Sequence, residues 1–158
     1  MSSEREMLRH TVATLAYRAG KALRDAPGEF AAYRAGETSR TPAELLAHLG
    51  DLIEWALSMA QGNQAWKPAE PLTWPEDTER FYGALKRFDD YLASDQPMGA
   101  PAERLFQGPI ADALTHVGQL GMLRRLAGAP MRSENYYQAE IKAGQVGLEQ
   151  EPPKFEFD

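Results

Sequence analysis

Two polar residues stand one helical turn apart in the apolar segment "ADALTHVGQL", residues 111–120. On an α-helix, Asp112 and His116 share one face with about 5–6 Å between their Cβ atoms, and Gln119 continues the same line. The rest of the helix is mostly apolar, so this line is expected to face inward or into a cleft. A buried carboxylate is costly unless it is paired or bound to a metal. The spacing admits a structural Asp112–His116 pair, or a divalent cation held by both residues and by His48 from another helix.

The chain has three histidines, and the helical pattern separates them. His10 lies away from the apolar stripe of its helix and is expected to be exposed. His48 lies at the edge of the next stripe, beside Trp55, and is expected to be partly buried at a seam between helices. Position alone favours a core histidine whose ring nitrogens are satisfied. Glu44 lies one turn before His48, but its place three residues after Thr41 assigns it to a capping box.

The elements that position these residues follow the helical period, which dominates four long segments. The first predicted helix covers residues 3–25 and ends where Pro27 and Gly28 interrupt it. The second begins at Thr41 and the third at Thr73, because each threonine is followed by an early proline and by glutamate three residues on. Apolar residues at helical spacing form the predicted core: Leu8, Val12, Leu15, Ala19, Leu23, Leu45, Leu49, Leu52, Ile53, Ala56, Ala60, Phe81, Leu85, Phe88 and Leu92.

The fourth predicted helix begins near Gly108–Pro109 and ends at Gly128. Four long helices with polar connections predict an all-α fold. The prediction is a four-helix bundle over residues 1–130, followed by a C-terminal extension over residues 131–158 that packs on the same domain. The connections are too long to fix the order or the handedness of the helices.

The C-terminal extension has a weaker pattern. The segment "SENYYQAEIKAG" is predicted as a short helix capped by Ser133, and "EPPKFEFD" as extended or loose. Tyr136 and Tyr137 are expected to fold over the open side of the site, with surface packing as the alternative. The predicted surroundings of the ligands are therefore Gln119, Trp55, Tyr136 and Tyr137.

Composition narrows the class of protein. The formal net charge is −6 with scattered basic residues, which argues against a nucleic-acid partner. There is no cysteine, so neither a disulfide framework nor thiolate chemistry of the chain itself is expected. No signal peptide and no apolar run long enough for a bilayer are visible, so a cytoplasmic protein without a membrane partner is expected.

Two stretches carry a family resemblance. "TPAELLAHLGDLIEWAL" and, much later, "DALTHVGQLGMLRRLAG" resemble the DinB/YfiT-like superfamily of four-helix metalloenzymes, over residues 5–128. In that superfamily the last long helix carries His-x-x-x-His, and the second histidine is followed by x-Gly-Gln. His116 stands at the second histidine with Gln119 in register, His48 matches the ligand of the second helix, and Asp112 replaces the first histidine.

The resemblance implies one divalent metal ion held by His48, Asp112 and His116. Two histidines and one carboxylate suit zinc, nickel, iron or manganese. Some relatives are thiol-dependent S-transferases or isomerases, which implies a small-molecule substrate, a low-molecular-weight thiol and metal-dependent transfer chemistry. Members of the superfamily often form homodimers, so a homodimer is expected by resemblance. The alternative is a non-catalytic binding or stress-associated bundle with a structural metal site or an Asp–His pair.

Overall fold

Four long helices carry the fold, and the computed structural model describes residues 1–158. Two short strands form one small antiparallel pair. No helix combines the length and the apolar character that crossing a bilayer requires. The prediction of a helical bundle is confirmed. The elements are α1 (Ser3–Leu23), α2 (Pro42–Ala60), α3 (Trp74–Ala93), a short α4 (Ala102–Leu105), α5 (Ala111–Leu126), β1 (Ser133–Glu134) and β2 (Glu156–Phe157), with 3₁₀ turns at Gly28–Ala32 and Tyr136–Gln138.

The helices pack in an order that the sequence left open. Helix α2 packs against α3 and α5, and α1 packs against the same two helices. Helices α1 and α2 therefore lie diagonally opposite each other, and the connection over residues 24–41 crosses from one side of the bundle to the other. This order brings α2 and α5 side by side, although α3 lies between them in the sequence.

The start of α2 is fixed by the predicted capping box. The Thr41 hydroxyl accepts a hydrogen bond from the Glu44 backbone N–H at 3.2 Å, and the Glu44 carboxylate accepts one from the Thr41 N–H at 2.9 Å. Glu44 is therefore used at the helix start, as predicted. Because the box sets where α2 begins, it also sets the face on which His48 lies, one turn further on.

The predicted apolar stripes form the core. Every apolar position predicted for α1, α2 and α3 is buried, and Phe81, Leu85 and Phe88 of α3 are fully so. On α5 the residues Ala113 and Leu120 face this core. The line from Asp112 to Gln119 runs along the flank of α5 beside this core face, where His116 meets His48 of α2.

The predicted start of the fourth helix is wrong. The helical segment begins six residues before Gly108, at Ala102, and Pro109 lies inside it. Proline has no N–H to donate, and the chain accommodates it by widening into a π-helical turn over Phe106–Ile110. This turn leads directly into the first turn of α5, which carries Asp112.

The short helix predicted to begin at Ser133 is reduced to a 3₁₀ turn at Tyr136–Gln138, because β1 occupies the start of the segment. Ser133 pairs with Phe157 and Glu134 with Glu156, so the end of the chain returns across the extension. Such pairing joins residues far apart in the sequence and leaves no local signal.

A buried carboxylate attaches the extension to α1. The Glu134 side chain is fully buried and accepts hydrogen bonds from the Tyr17 hydroxyl and from Lys21 Nζ, the latter at 2.6 Å. Lys21 also pairs with Glu156 at 2.9 Å. Burial acts to lower the pKa of Lys21, but the hydrogen bonds to both carboxylates outweigh it and leave that pKa raised. Burial and the hydrogen bond to Glu134 raise the pKa of Tyr17.

Candidate metal centre

Two neighbouring helices bring three potential ligands together. His48 comes from α2, and Asp112 and His116 come from the first two turns of α5. One donor atom from each residue lies within 4.8 Å of the other two. His116 Nε2 is 3.4 Å from Asp112 Oδ1, and His48 Nε2 is 3.8 Å from Asp112 Oδ2. The imidazole rings meet edge to face with centroids 4.7 Å apart.

The three side chains face an open pocket of about 560 Å³. Both histidines are largely buried, with 18% and 12% of their side chains exposed, whereas the Asp112 side chain is half exposed. The donor atoms are therefore reachable from solvent on one side and backed by the bundle on the other. The pocket is lined by Thr38, Ser39, Arg40, Leu45, His48, Asp112, His116, Gln119, Met122 and Leu123.

Gln119 determines which nitrogen of His116 carries the proton. Its side-chain Oε1 lies 2.8 Å from His116 Nδ1. An amide oxygen can only accept, so Nδ1 must be the protonated nitrogen. In a neutral imidazole the lone pair is then on Nε2, the atom that faces Asp112.

This arrangement leaves two acceptors facing each other. Nε2 of neutral His116 and the Asp112 carboxylate both offer lone pairs across 3.4 Å. Such a pair is favourable only with a positive charge between its members, either a proton on the imidazole or a metal ion. Both separations from Asp112 to the histidines exceed the roughly 2.7–2.9 Å of a strong charge-assisted hydrogen bond.

His48 is suited to bind a metal ion as a neutral imidazole. Burial lowers its pKa, and the positive charges of Arg40 and His116 add to this, while Asp112 acts in the opposite direction. The lowered pKa keeps the imidazole uncharged at neutral pH, the form that binds metals. The Trp66 ring packs edge-on against His48 with centroids 5.9 Å apart and covers the ring on that side.

The donor set fits a divalent metal ion. Metal–nitrogen and metal–oxygen bonds of about 2.0–2.1 Å at tetrahedral or octahedral angles place neighbouring donors about 2.9–3.4 Å apart. The separation of 3.4 Å between His116 Nε2 and Asp112 Oδ1 meets this range, and that of 3.8 Å between His48 Nε2 and Asp112 Oδ2 is longer and requires the two side chains to move closer. Two imidazoles and one carboxylate match catalytic sites for zinc and non-haem iron, which leave further positions open.

Of the residues predicted to surround the ligands, Gln119 contacts a ligand and Trp55 does not. Gln119 contacts His116 directly, as expected. Trp55 lies two turns beyond His48 and packs edge-on against Trp66, so it is one residue removed from the ligands. Its indole nitrogen is buried without a hydrogen-bond partner in the protein.

The expectation that Tyr136 and Tyr137 cover the site is wrong. The Tyr136 ring packs against Tyr17 and beneath the guanidinium of Arg18, on α1. Tyr137 is 97% exposed. Neither residue lines the pocket. The pairing of the extension with itself and with α1 holds both tyrosines away from the seam between α2 and α5.

Sequence reasoning missed one wall of the pocket. Thr38, Ser39 and Arg40, in the connection before α2, line it together with the predicted ligands. A basic residue directly before a helix N-cap was a usable signal, because the helix dipole disfavours a cation there. Trp66 carried no signal, since its contact with His48 depends on the path of a long connection.

Comparison with protein-family models, curated proteins and solved structures found no match for this chain. Fold and site together define its class: a helical bundle with a His–Asp–His group that can hold a metal ion. Membership of the DinB/YfiT-like superfamily stays a prediction from the residues that resemble it.

Replacing Gln119 by leucine is expected to lower zinc affinity about 10–100-fold, the usual cost of losing a hydrogen-bond partner of a ligand. The Nδ1 proton of His116 then has no fixed acceptor, and the ring is free to adopt the other tautomer. Competition with a chromophoric chelator measures the affinity. Gln119→Glu, which keeps an acceptor, should retain most of it. Gln107→Leu changes an exposed glutamine outside the pocket and should have no effect; equal losses in the two leucine variants contradict the assignment.

Proposed function

We propose that this protein is a metal-dependent enzyme of the DinB/YfiT-like type, with one divalent ion bound by His48, Asp112 and His116. The observation that carries the proposal is the approach of three donor atoms to within 4.8 Å on neighbouring helices. The substrate is a small molecule that enters the open pocket, with a low-molecular-weight thiol as the nucleophile in transfer chemistry.

The residues around the ligands suit this role. Gln119 holds the His116 ring with Nε2 free, and burial keeps His48 neutral. Asp112 supplies the one negative charge of the pocket lining, so the ligand set only partly neutralises a divalent ion. When bound, such an ion supplies Lewis acidity and lowers the pKa of a coordinated water or thiol. Leu45 contributes an apolar part of the pocket lining.

A second candidate is a non-catalytic bundle in which Asp112 pairs with a protonated His116. The separation of 3.4 Å between them is compatible with such a pair. In this case Gln119 orients the ring as before, and His48 is a half-buried neighbour without a ligand role. Both candidates have the same fold, and they differ in whether the pocket binds a divalent metal ion.

Metal content separates the two candidates. Protein purified without nickel resin is expected to carry about one divalent ion per chain, detected by elemental analysis. Asp112→Ala should lower zinc affinity by more than about 100-fold, because losing a mere partner of a ligand already costs about 10–100-fold. Asp95→Ala, which removes an exposed carboxylate outside the pocket, is the matched control. Full metal content in Asp112→Ala overturns the carboxylate as a ligand. No metal in the wild-type protein overturns the metal site and favours the Asp–His pair.

A further inference from the structure

The lining of the pocket includes a cation without a partner. Arg40 is exposed and lines the same pocket as the three ligands. Ten of the twelve arginines place their guanidinium on a carboxylate, a hydroxyl, a carbonyl or an aromatic ring. The two that do not are Arg40 and Arg104, and Arg104 lies on α4, outside the pocket.

The position of Arg40 is electrostatically unfavourable for the free protein. It directly precedes Thr41, the N-cap of α2, where the helix dipole favours anions. Glu44 is the acidic residue of α2 nearest to Arg40 in the sequence. Its carboxylate accepts the capping-box hydrogen bond from Thr41 N–H, and its Oε1 lies 3.7 Å from Arg34 Nη2. The guanidinium and the start of α2 therefore both contribute positive potential to the pocket.

The loop that carries Arg40 is fixed in place. The Ser39 hydroxyl bonds to the backbone of Gly36 in both directions, and Arg34 donates to the Ser39 carbonyl at 2.6 Å. The capping box at Thr41 fixes the other side of Arg40. A cation on a fixed backbone loses less freedom on binding an anion than one on a mobile loop.

Charge in the pocket contrasts with charge in the chain as a whole. The net charge is −6, yet Asp112 is the single acid among the residues that line the pocket. With a divalent ion on the ligands, the pocket lining including Arg40 would carry a net positive charge. Leu45, Met122 and Leu123 are the apolar members of the same lining. The composition of the lining thus suits a molecule that has both an acidic group and an apolar body.

We propose that this pocket binds a small carboxylate-bearing molecule, with its carboxylate on Arg40, its body against Leu45, Met122 and Leu123, and its reacting atom toward the ligand cluster. The inference rests on the proposed function and names its substrate class. A carboxylate is favoured over a phosphate because one guanidinium matches its two oxygens, and the Ser39 hydroxyl is already engaged. A phosphate ordinarily gathers several donors at one point.

Calorimetric titration of zinc-loaded protein tests the inference with mercaptohexanoate and its neutral analogue mercaptohexanol. The wild-type protein is expected to bind the carboxylate about tenfold more tightly, as a charge-assisted hydrogen bond at an accessible site allows. Arg40→Gln should remove this preference and leave affinity for the alcohol unchanged. Arg104→Gln should keep the preference. Equal affinities in the wild-type protein, or a preference that survives in Arg40→Gln, overturn the inference.

Parallel titrations separate this inference from the metal site. Zinc-free protein is titrated with hexanoate, hexanol and hexylphosphonate. A preference for hexanoate that disappears in Arg40→Gln supports the carboxylate site even if the wild-type protein retains no zinc, in which case the proposed function alone fails. Tighter binding of hexylphosphonate than of hexanoate overturns the assignment to carboxylates.

Discussion

Saturating zinc is expected to raise the thermal unfolding midpoint by about 10 °C. A ligand present at a thousand times its dissociation constant stabilises the folded state by about 4 kcal/mol when it does not bind the unfolded chain. For a domain of this size, each kcal/mol corresponds to roughly 2–4 °C. The effect is specific to the folded state, because the ligands come from α2 and α5 and meet only when the bundle is assembled. Scanning calorimetry with and without zinc measures it.

Variants of single histidines locate the source of this stabilisation. His116→Ala should abolish the zinc-dependent shift, while His10→Ala, at an exposed position on α1, should retain it in full. Magnesium should give no comparable shift, because it prefers oxygen ligands in octahedral geometry. An undiminished shift in His116→Ala would show that zinc stabilises the protein at another place and contradict the assigned site.

Replacing Glu134 by alanine is expected to destabilise the protein by about 3–4 kcal/mol, in the range measured when one partner of a buried ion pair is removed. The substitution leaves Lys21, with a side chain only 8% exposed, facing the single remaining carboxylate of Glu156. It also leaves the buried Tyr17 hydroxyl without its acceptor. Urea denaturation followed by circular dichroism measures the free energy of unfolding.

A surface ion pair on the same extension provides the control. Glu140 pairs with Lys154 at 2.5 Å, and both side chains are half exposed, so Glu140→Ala should destabilise the protein far less than Glu134→Ala. Adding Lys21→Met to Glu134→Ala should restore part of the loss, because the unpaired buried charge is then removed. If the two glutamate variants are equally stable, the buried network does not attach the extension to α1.

The first three helices could be predicted from the sequence because their signals are local. Capping boxes at Thr41 and Thr73 act within one turn, and the apolar stripes need only the helical period. The start of the fourth helical segment could not, because Pro109 normally marks a helix start and a widened turn absorbs it here. The β1–β2 pair depends on residues far apart in the chain, which no local pattern records.

The residues of the candidate site also differ in whether a local sequence pattern could predict them. Asp112, His116 and Gln119 share a helix, so their spacing predicts a common face, and the structure places them on it. From the residues alone His48 was one alternative as third ligand, and the resemblance favoured it, because spacing within one helix does not show which helix lies beside it. Arg40 lies in a connection whose path is decided by tertiary packing. It was missed for that reason, whereas Tyr136 was expected at the pocket and lies elsewhere.

The diagonal placement of α1 and α2 also has a consequence for the order of folding. Helices α2 and α3 are neighbours in sequence and can dock early, but α2 meets α5 only after the chain over residues 48–112 has closed into a loop that contains all of α3. Contacts between distant segments carry the larger closure entropy and tend to form late. The ligand cluster is therefore complete only in molecules that have finished folding. A bound ion would then slow unfolding without accelerating folding, so scarcity of metal would shorten the lifetime of the native state rather than prevent its formation.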